Sequence, residues 1–91
     1  MFVNLITLNS VKIPNSVTDI GFQTFYGCTN LSYLVIPDSV TNIGGEAFYG
    51  CSALKEIYYT GSEEEWKAII IELGNNYLTG ATLYYNYVST N

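Results

Sequence analysis

At 91 residues the chain suits one small domain or a piece of a longer one, and eight acidic against three basic side chains give it a formal net charge of −5. Lys12, Lys55 and Lys67 are its only cations, with no arginine and no histidine. Displacing counterions from phosphate needs clustered basic residues, so nucleic acid is excluded as a partner and an anionic membrane surface is disfavoured; no apolar run approaches the ~18–20 residues that span a bilayer, so membrane insertion by this segment is not expected.

Residues 1–12 lack the basic start and long apolar stretch of a signal peptide. They align instead with a later stretch of the same chain. Residues 2–14 lie in register with residues 25–37: Phe2 falls on Phe25, Leu5 on Cys28, and Leu8, Val11 and Ile13 on Leu31, Leu34 and Ile36. The chain is therefore expected to open in mid-repeat, as the C-terminal end of a longer array; a complete small protein with an abbreviated first coil is the alternative.

Residues 13–35 and 36–58 then repeat one pattern at a constant offset of 23, carrying Phe25 to Phe48, Cys28 to Cys51 and Leu31 to Leu54. A period in this range with Leu-x-x-Leu spacing implies a solenoid of stacked coils. Within a coil, Leu34 and Ile36 alternate as on a half-buried strand, which turns Ser32, Tyr33 and Val35 outward. Pro37 ends the strand for want of an N–H. Val40 and Ile43 return to the core on the opposite wall, and Gly44 marks a bend or a close backbone approach. Residues 45–49 are expected to make one short helical turn that plants Ala47 and Phe48 inside, with Gly50 in the left-handed position that closes it. One coil buries too few apolar groups to offset the entropy of ordering it, so stacking is a physical requirement.

The pattern changes after residue 61. Ser62 and Glu65 have the spacing of a capping box, and three carboxylates at 63–65 favour a helix N-terminus. Trp66, Ile69, Ile70 and Leu73 share one helical face, with Gly74 as the stop. Asn75-Asn76 and Thr79-Gly80 read as turns, and residues 81–87 as a closing strand. Trp66 is expected to cover the open end of the last coil. The organisation is thus residues 1–61 as repeats (a partial first coil at 1–12, coils at 13–35 and 36–58) and 62–91 as a C-terminal capping segment.

Ile36-Pro37, Ser39-Val40-Thr41-Asn42-Ile43-Gly44 and Ala47-Phe48-Tyr49-Gly50-Cys51 closely resemble the BspA-like leucine-rich repeats of bacterial and some protozoan surface proteins. Residues 13–28 match with Thr24 in place of alanine and Phe22 in place of a more usual small or polar residue. The tail from Tyr58 through Trp66 to Asn86 is similar to that family's last coil. The resemblance covers almost the whole chain. It implies an α/β leucine-rich-repeat solenoid, with short strands on one wall, short helical turns opposite and a helix-strand cap, on a secreted or surface-anchored protein. Characterised relatives adhere to host proteins or other cells. The family transmits no fixed set of binding residues.

Cys28 and Cys51 occupy equivalent places after a glycine, where a side chain points inward. Stacked apolar thiols are the leading reading, and Leu5 in the matching place supports it. A disulfide is conceivable between adjacent coils, and two thiols without histidine make a poor zinc set. The acidic run at 63–65 is explained by helix capping without calcium. Tyr26 and Tyr49 flank the core phenylalanines and read as structural. Tyr33 and Tyr58 project from the strand wall with Val35 and Glu56 beside them, and Tyr84 extends the row, making a candidate contact strip for a protein or a glycan. No catalytic, metal or cofactor residues are assigned: a nucleophile needs a base within reach, no histidine supplies one, and Asp19 and Asp38 are placed in turns. The expected function is a non-enzymatic binding module of a surface or secreted protein, mediating protein–protein or cell adhesion. The alternatives are a structural spacer or end cap of a larger surface protein, or an accessory segment of a surface hydrolase.

Overall fold

The computed structural model of the protein describes residues 7–88; the alignment of Phe2 and Leu5 with the later repeats lies outside them. Every repeat sends one strand to each of two parallel sheets. The larger sheet has the order β1 (Ser10–Lys12), β3 (Tyr33–Ile36), β5 (Glu56–Tyr59) and β7 (Thr82–Tyr84), and the smaller one β2 (Asp19–Ile20), β4 (Asn42–Ile43) and β6 (Ile70–Ile71). Parallel neighbours need a long crossover, and here each crossover passes through the other sheet. Val11, Leu34, Ile57 and Leu83 stand side by side in the larger sheet. The step from β1 to β3 to β5 is the 23-residue offset of the sequence repeat.

The interior is built from equivalent residues lying over one another. Leu31, Leu34, Ile36, Val40, Ile43, Ala47 and Phe48 are buried. The rings of Phe25 and Phe48 stack with centroids 5.2 Å apart and planes 12° from parallel, so both face one shared core. Main-chain bonds run between repeats alongside these contacts. Phe25 N–H donates to Ala47 O at 2.7 Å, Gly27 N–H to Tyr49 O at 2.7 Å, and Gly44 N–H to Ile20 O at 2.7 Å. The last of these explains Gly44. A Cβ there would sit 2.7 Å from the Phe22 backbone nitrogen, closer than any side chain tolerates.

Residues 45–49 do not form the expected helical turn. They make successive tight turns instead, with Ala47 N–H donating to Gly44 O, Tyr49 N–H to Glu46 O and Cys51 N–H to Phe48 O. The cause is Glu46, whose φ of 54° is left-handed and stops a right-handed helix, as does Gln23 at 56° one repeat earlier. The two long side chains that result lie together, with Gln23 Nε2 donating to Glu46 Oε1 at 2.8 Å. Ala47 and Phe48 nevertheless reach the core, and Gly50 has the expected positive φ of 78°.

After β5 the chain enters α1 (Glu63–Ala68), whose capping box is present: Glu65 N–H donates to Ser62 Oγ at 3.1 Å and Ser62 N–H to Glu65 Oε1 at 2.8 Å. The helix stops at Ala68 rather than running to Leu73. Ile69-Ile70-Ile71 are β-branched and favour extended backbone. The open edge of β4 offers them partners, so Ile70 N–H donates to Thr41 O at 3.1 Å and Glu72 N–H to Ile43 O at 3.0 Å. The expected helical face is consequently split. Trp66 and Ile69 are buried, whereas Ile70 is 63% and Leu73 90% exposed. Trp66 packs edge-on against Tyr59, centroids 5.1 Å apart. Gly74 ends no helix; it turns the chain, with φ 86°. The asparagines read as a turn instead begin α2 (Asn76–Thr79), which buries Leu78. Residues 62–84 thereby extend both sheets by one further strand each.

Candidate functional site

Strand alternation sorts the larger sheet into two faces. Leu34 and Ile57 point to the core, and Tyr33, Val35, Glu56, Tyr58 and Tyr84 point away from it. The outward residues fall into two rows across the strands. Ser10, Tyr33, Glu56 and Thr82 make one, and Lys12, Val35, Tyr58 and Tyr84 the other. Tyr33 and Tyr58 are therefore diagonal neighbours, meeting edge to face with centroids 5.9 Å apart. Tyr58 and Tyr84 are direct neighbours and stack at 5.0 Å. Four of the five expected residues form a continuous patch. Val35 lies on the same face yet is only 8% exposed, so it offers a partner almost no area.

Tyr87 completes the patch and was not foreseen. Simple alternation along residues 81–87 would turn it inward. The strand ends at Tyr84, and Asn86 takes a φ of 55°, a conformation that asparagine tolerates better than most residues. The chain then folds back, with Asn86 N–H donating to Gly61 O and Tyr87 N–H to Tyr59 O. The Tyr87 ring lands 5.0 Å from that of Tyr58. The sequence signal was Asn86 itself.

The patch is polar as well as aromatic. Tyr58 Oη donates to Glu56 Oε1 at 3.2 Å. Partial desolvation, the Glu56 carboxylate and the neighbouring Tyr84 and Tyr87 push the Tyr58 hydroxyl above the ordinary phenol range. It is a neutral donor at physiological pH. The arrangement can stack on a partner's apolar groups and exchange hydrogen bonds at its rim.

Other candidate positions resolve differently. Cys28 and Cys51 are buried and neither is in a disulfide. The Cys51 thiol donates to Phe25 O at 3.2 Å, and burial, then the neighbouring Cys28, push its pKa from 9.0 to about 11. Asp38 sits in a turn as expected, but Asp19 opens β2: its backbone pairs with Asn42. Tyr26 and Tyr49 stack with centroids 5.1 Å apart, Tyr26 half-buried and Tyr49 exposed. Among the described residues, no group of three His, Cys, Asp or Glu side chains could hold a metal ion, and no helix is long and apolar enough to cross a membrane.

Comparison with known proteins agrees with this geometry. A family model described as BspA type leucine rich repeat region (6 copies) matches residues 1–77. No curated protein matches the chain. A solved structure, a leucine rich cell surface protein from Faecalibacterium prausnitzii A2-165, is similar at 45% sequence identity with a TM-score of 0.68. The match covers 71% of this chain and 17% of that one.

Proposed function

The chain belongs to the BspA-type leucine-rich repeat family, and from that premise we propose that it is a non-enzymatic solenoid module of a bacterial surface protein, displayed outside the cell to bind another protein or a glycan. The sequence repeats up to residue 61 are followed by residues 62–84, which add one further strand to each sheet. The observation that carries the reading is the outward patch of Tyr33, Tyr58, Tyr84 and Tyr87 with Glu56 among the rings. Exposed tyrosines held in register on a rigid sheet give contact area at little entropic cost.

A test replaces Tyr33, Tyr58 and Tyr84 with serine together and measures adhesion of the parent surface protein to host-cell proteins and immobilised glycans. The reading expects binding to weaken by at least about tenfold, the scale of losing a hot-spot anchor, with the fold intact by circular dichroism. Undiminished adhesion by the triple variant excludes the strip as the contact. A spacer role predicts a different result: deleting one repeat shortens reach and leaves affinity unchanged.

A further inference from the structure

We propose that the smaller sheet carries a second, independent docking site: an acid-rimmed apolar saddle that seats an apolar side chain from an extended, lysine- or arginine-rich segment of a partner protein. The saddle comes from one position of the repeat. Gln23 N–H donates to Gly45 O and Glu46 N–H to Leu73 O, which aligns Phe22, Gly45 and Leu73 across three successive strands' turns. Phe22 is 61% and Leu73 90% exposed. Between two large apolar walls the middle repeat has no side chain at all, leaving an open depression of about 600 Å³ floored by Gly45. A phenylalanine and a leucine turned to water across a glycine are not what core packing asks for, and they leave apolar surface on which a partner's side chain can be buried.

The rim chooses the occupant. Asp19 and Glu72 stand on it beside Asn42, and among the described residues lining the depression none is basic. The whole chain adds a net charge of −5. Lysine and arginine suit such a site twice over, since their stems lie on apolar surface while their heads reach the carboxylates. A second copy of this chain would bring the same carboxylates and the same net charge, so like-charge repulsion disfavours it.

The test titrates the full ¹⁵N-labelled chain with a synthetic peptide alternating lysine with phenylalanine and leucine, and separately with the same peptide carrying glutamate for lysine. The lysine peptide is expected to shift the amides of Phe22, Gly45 and Leu73 and to weaken with added salt; the glutamate peptide is expected to bind at least about tenfold more weakly. Gly45→Leu is expected to plug the saddle: a Cβ there meets nothing nearer than the Phe22 ring at 3.6 Å, so the first added atom fits without moving the backbone, and the rest of the side chain fills the depression. If that variant fails to fold, Phe22→Ser, at an exposed position, decides in its place. The proposal is overturned if both peptides bind alike, if a folded Gly45→Leu or Phe22→Ser variant binds like the parent, or if the shifts fall only on Tyr33, Tyr58 and Tyr84. It is also overturned if the same amides broaden with protein concentration alone, which would make a second copy the occupant.

Discussion

Two buried residues show how single side chains hold this molecule. Cys51 packs as a small apolar group, and its thiolate is disfavoured by burial. With a folded pKa of about 11 against an ordinary 9.0, the folded state keeps its proton where the unfolded chain begins to lose it. This contribution to stability is complete below about pH 9 and is lost as pH rises from 9 to 11, by about 2–3 kcal/mol. Urea titrations should therefore show a steeper alkaline loss for the wild type than for Cys51→Ala, and native Cys51 should react with maleimide only after unfolding. Asn75 works differently. Phe25 N–H finds a carbonyl in the next repeat, Ala47 O, but Phe48 N–H donates to the Asn75 side-chain Oδ1 at 2.9 Å. The same amide donates back to Gly44 O at 3.0 Å and Glu72 O at 2.9 Å. Asn75→Ala leaves buried groups unpaired and is expected to cost about 2–4 kcal/mol by chemical denaturation. The sequence offered no warning, because asparagine beside asparagine is read as turn material.

At the scale of elements, what was legible tracks how local the determining interaction is. The capping box at Ser62 and Glu65 is a contact between residues three apart, and it formed as read. Ser62→Ala should cost about 1 kcal/mol, measured by thermal melting, with helix α1 rather than either sheet fraying first. The end of the same helix was misread because its determinant lies elsewhere in the chain. Helical spacing of Trp66, Ile69, Ile70 and Leu73 competes with three consecutive isoleucines next to a strand edge, and pairing with Thr41 and Ile43 wins. Residues 45–49 failed for a related reason: the left-handed φ of Glu46 recurs at Gln23 and goes with a hydrogen bond between the two side chains across 23 residues, which no local propensity reveals. The strands of the larger sheet were legible, since the repeat states their register twice; the smaller sheet on the opposite wall was not, because Asp19 reads as a turn residue and Ile70 as part of a helix. In the candidate strip, alternation placed Tyr33, Tyr58 and Tyr84 but overstated the accessibility of Val35, whose cover comes from neighbouring strands. It missed Tyr87 because one asparagine redirects the chain.

For the whole molecule, stability is graded across the sheets. β3 and β5 are paired on both sides, while β1 and β7 each have one neighbour among the described residues. In a stack where each unit touches only the next, opening begins at the edges. Native-state hydrogen exchange should find the amides of Leu34 and Ile57 slowest and those of Val11 and Leu83 at least about tenfold faster, a difference of about 1.4 kcal/mol in opening free energy; uniform protection would contradict a stack of separable units. The constant 23-residue offset has a further consequence for inheritance. A gene segment encoding residues 13–35 can be copied or lost whole, and Phe still lands on Phe and Cys on Cys. A slip of one residue inside a strand would turn that strand's inner side chain to water. Extra residues are taken up between the strands, as in the last coil, where the offset grows to 26 from Glu56 to Thr82 and to 28 from Asn42 to Ile70, and each whole coil gained or lost adds or removes one row of the outer face.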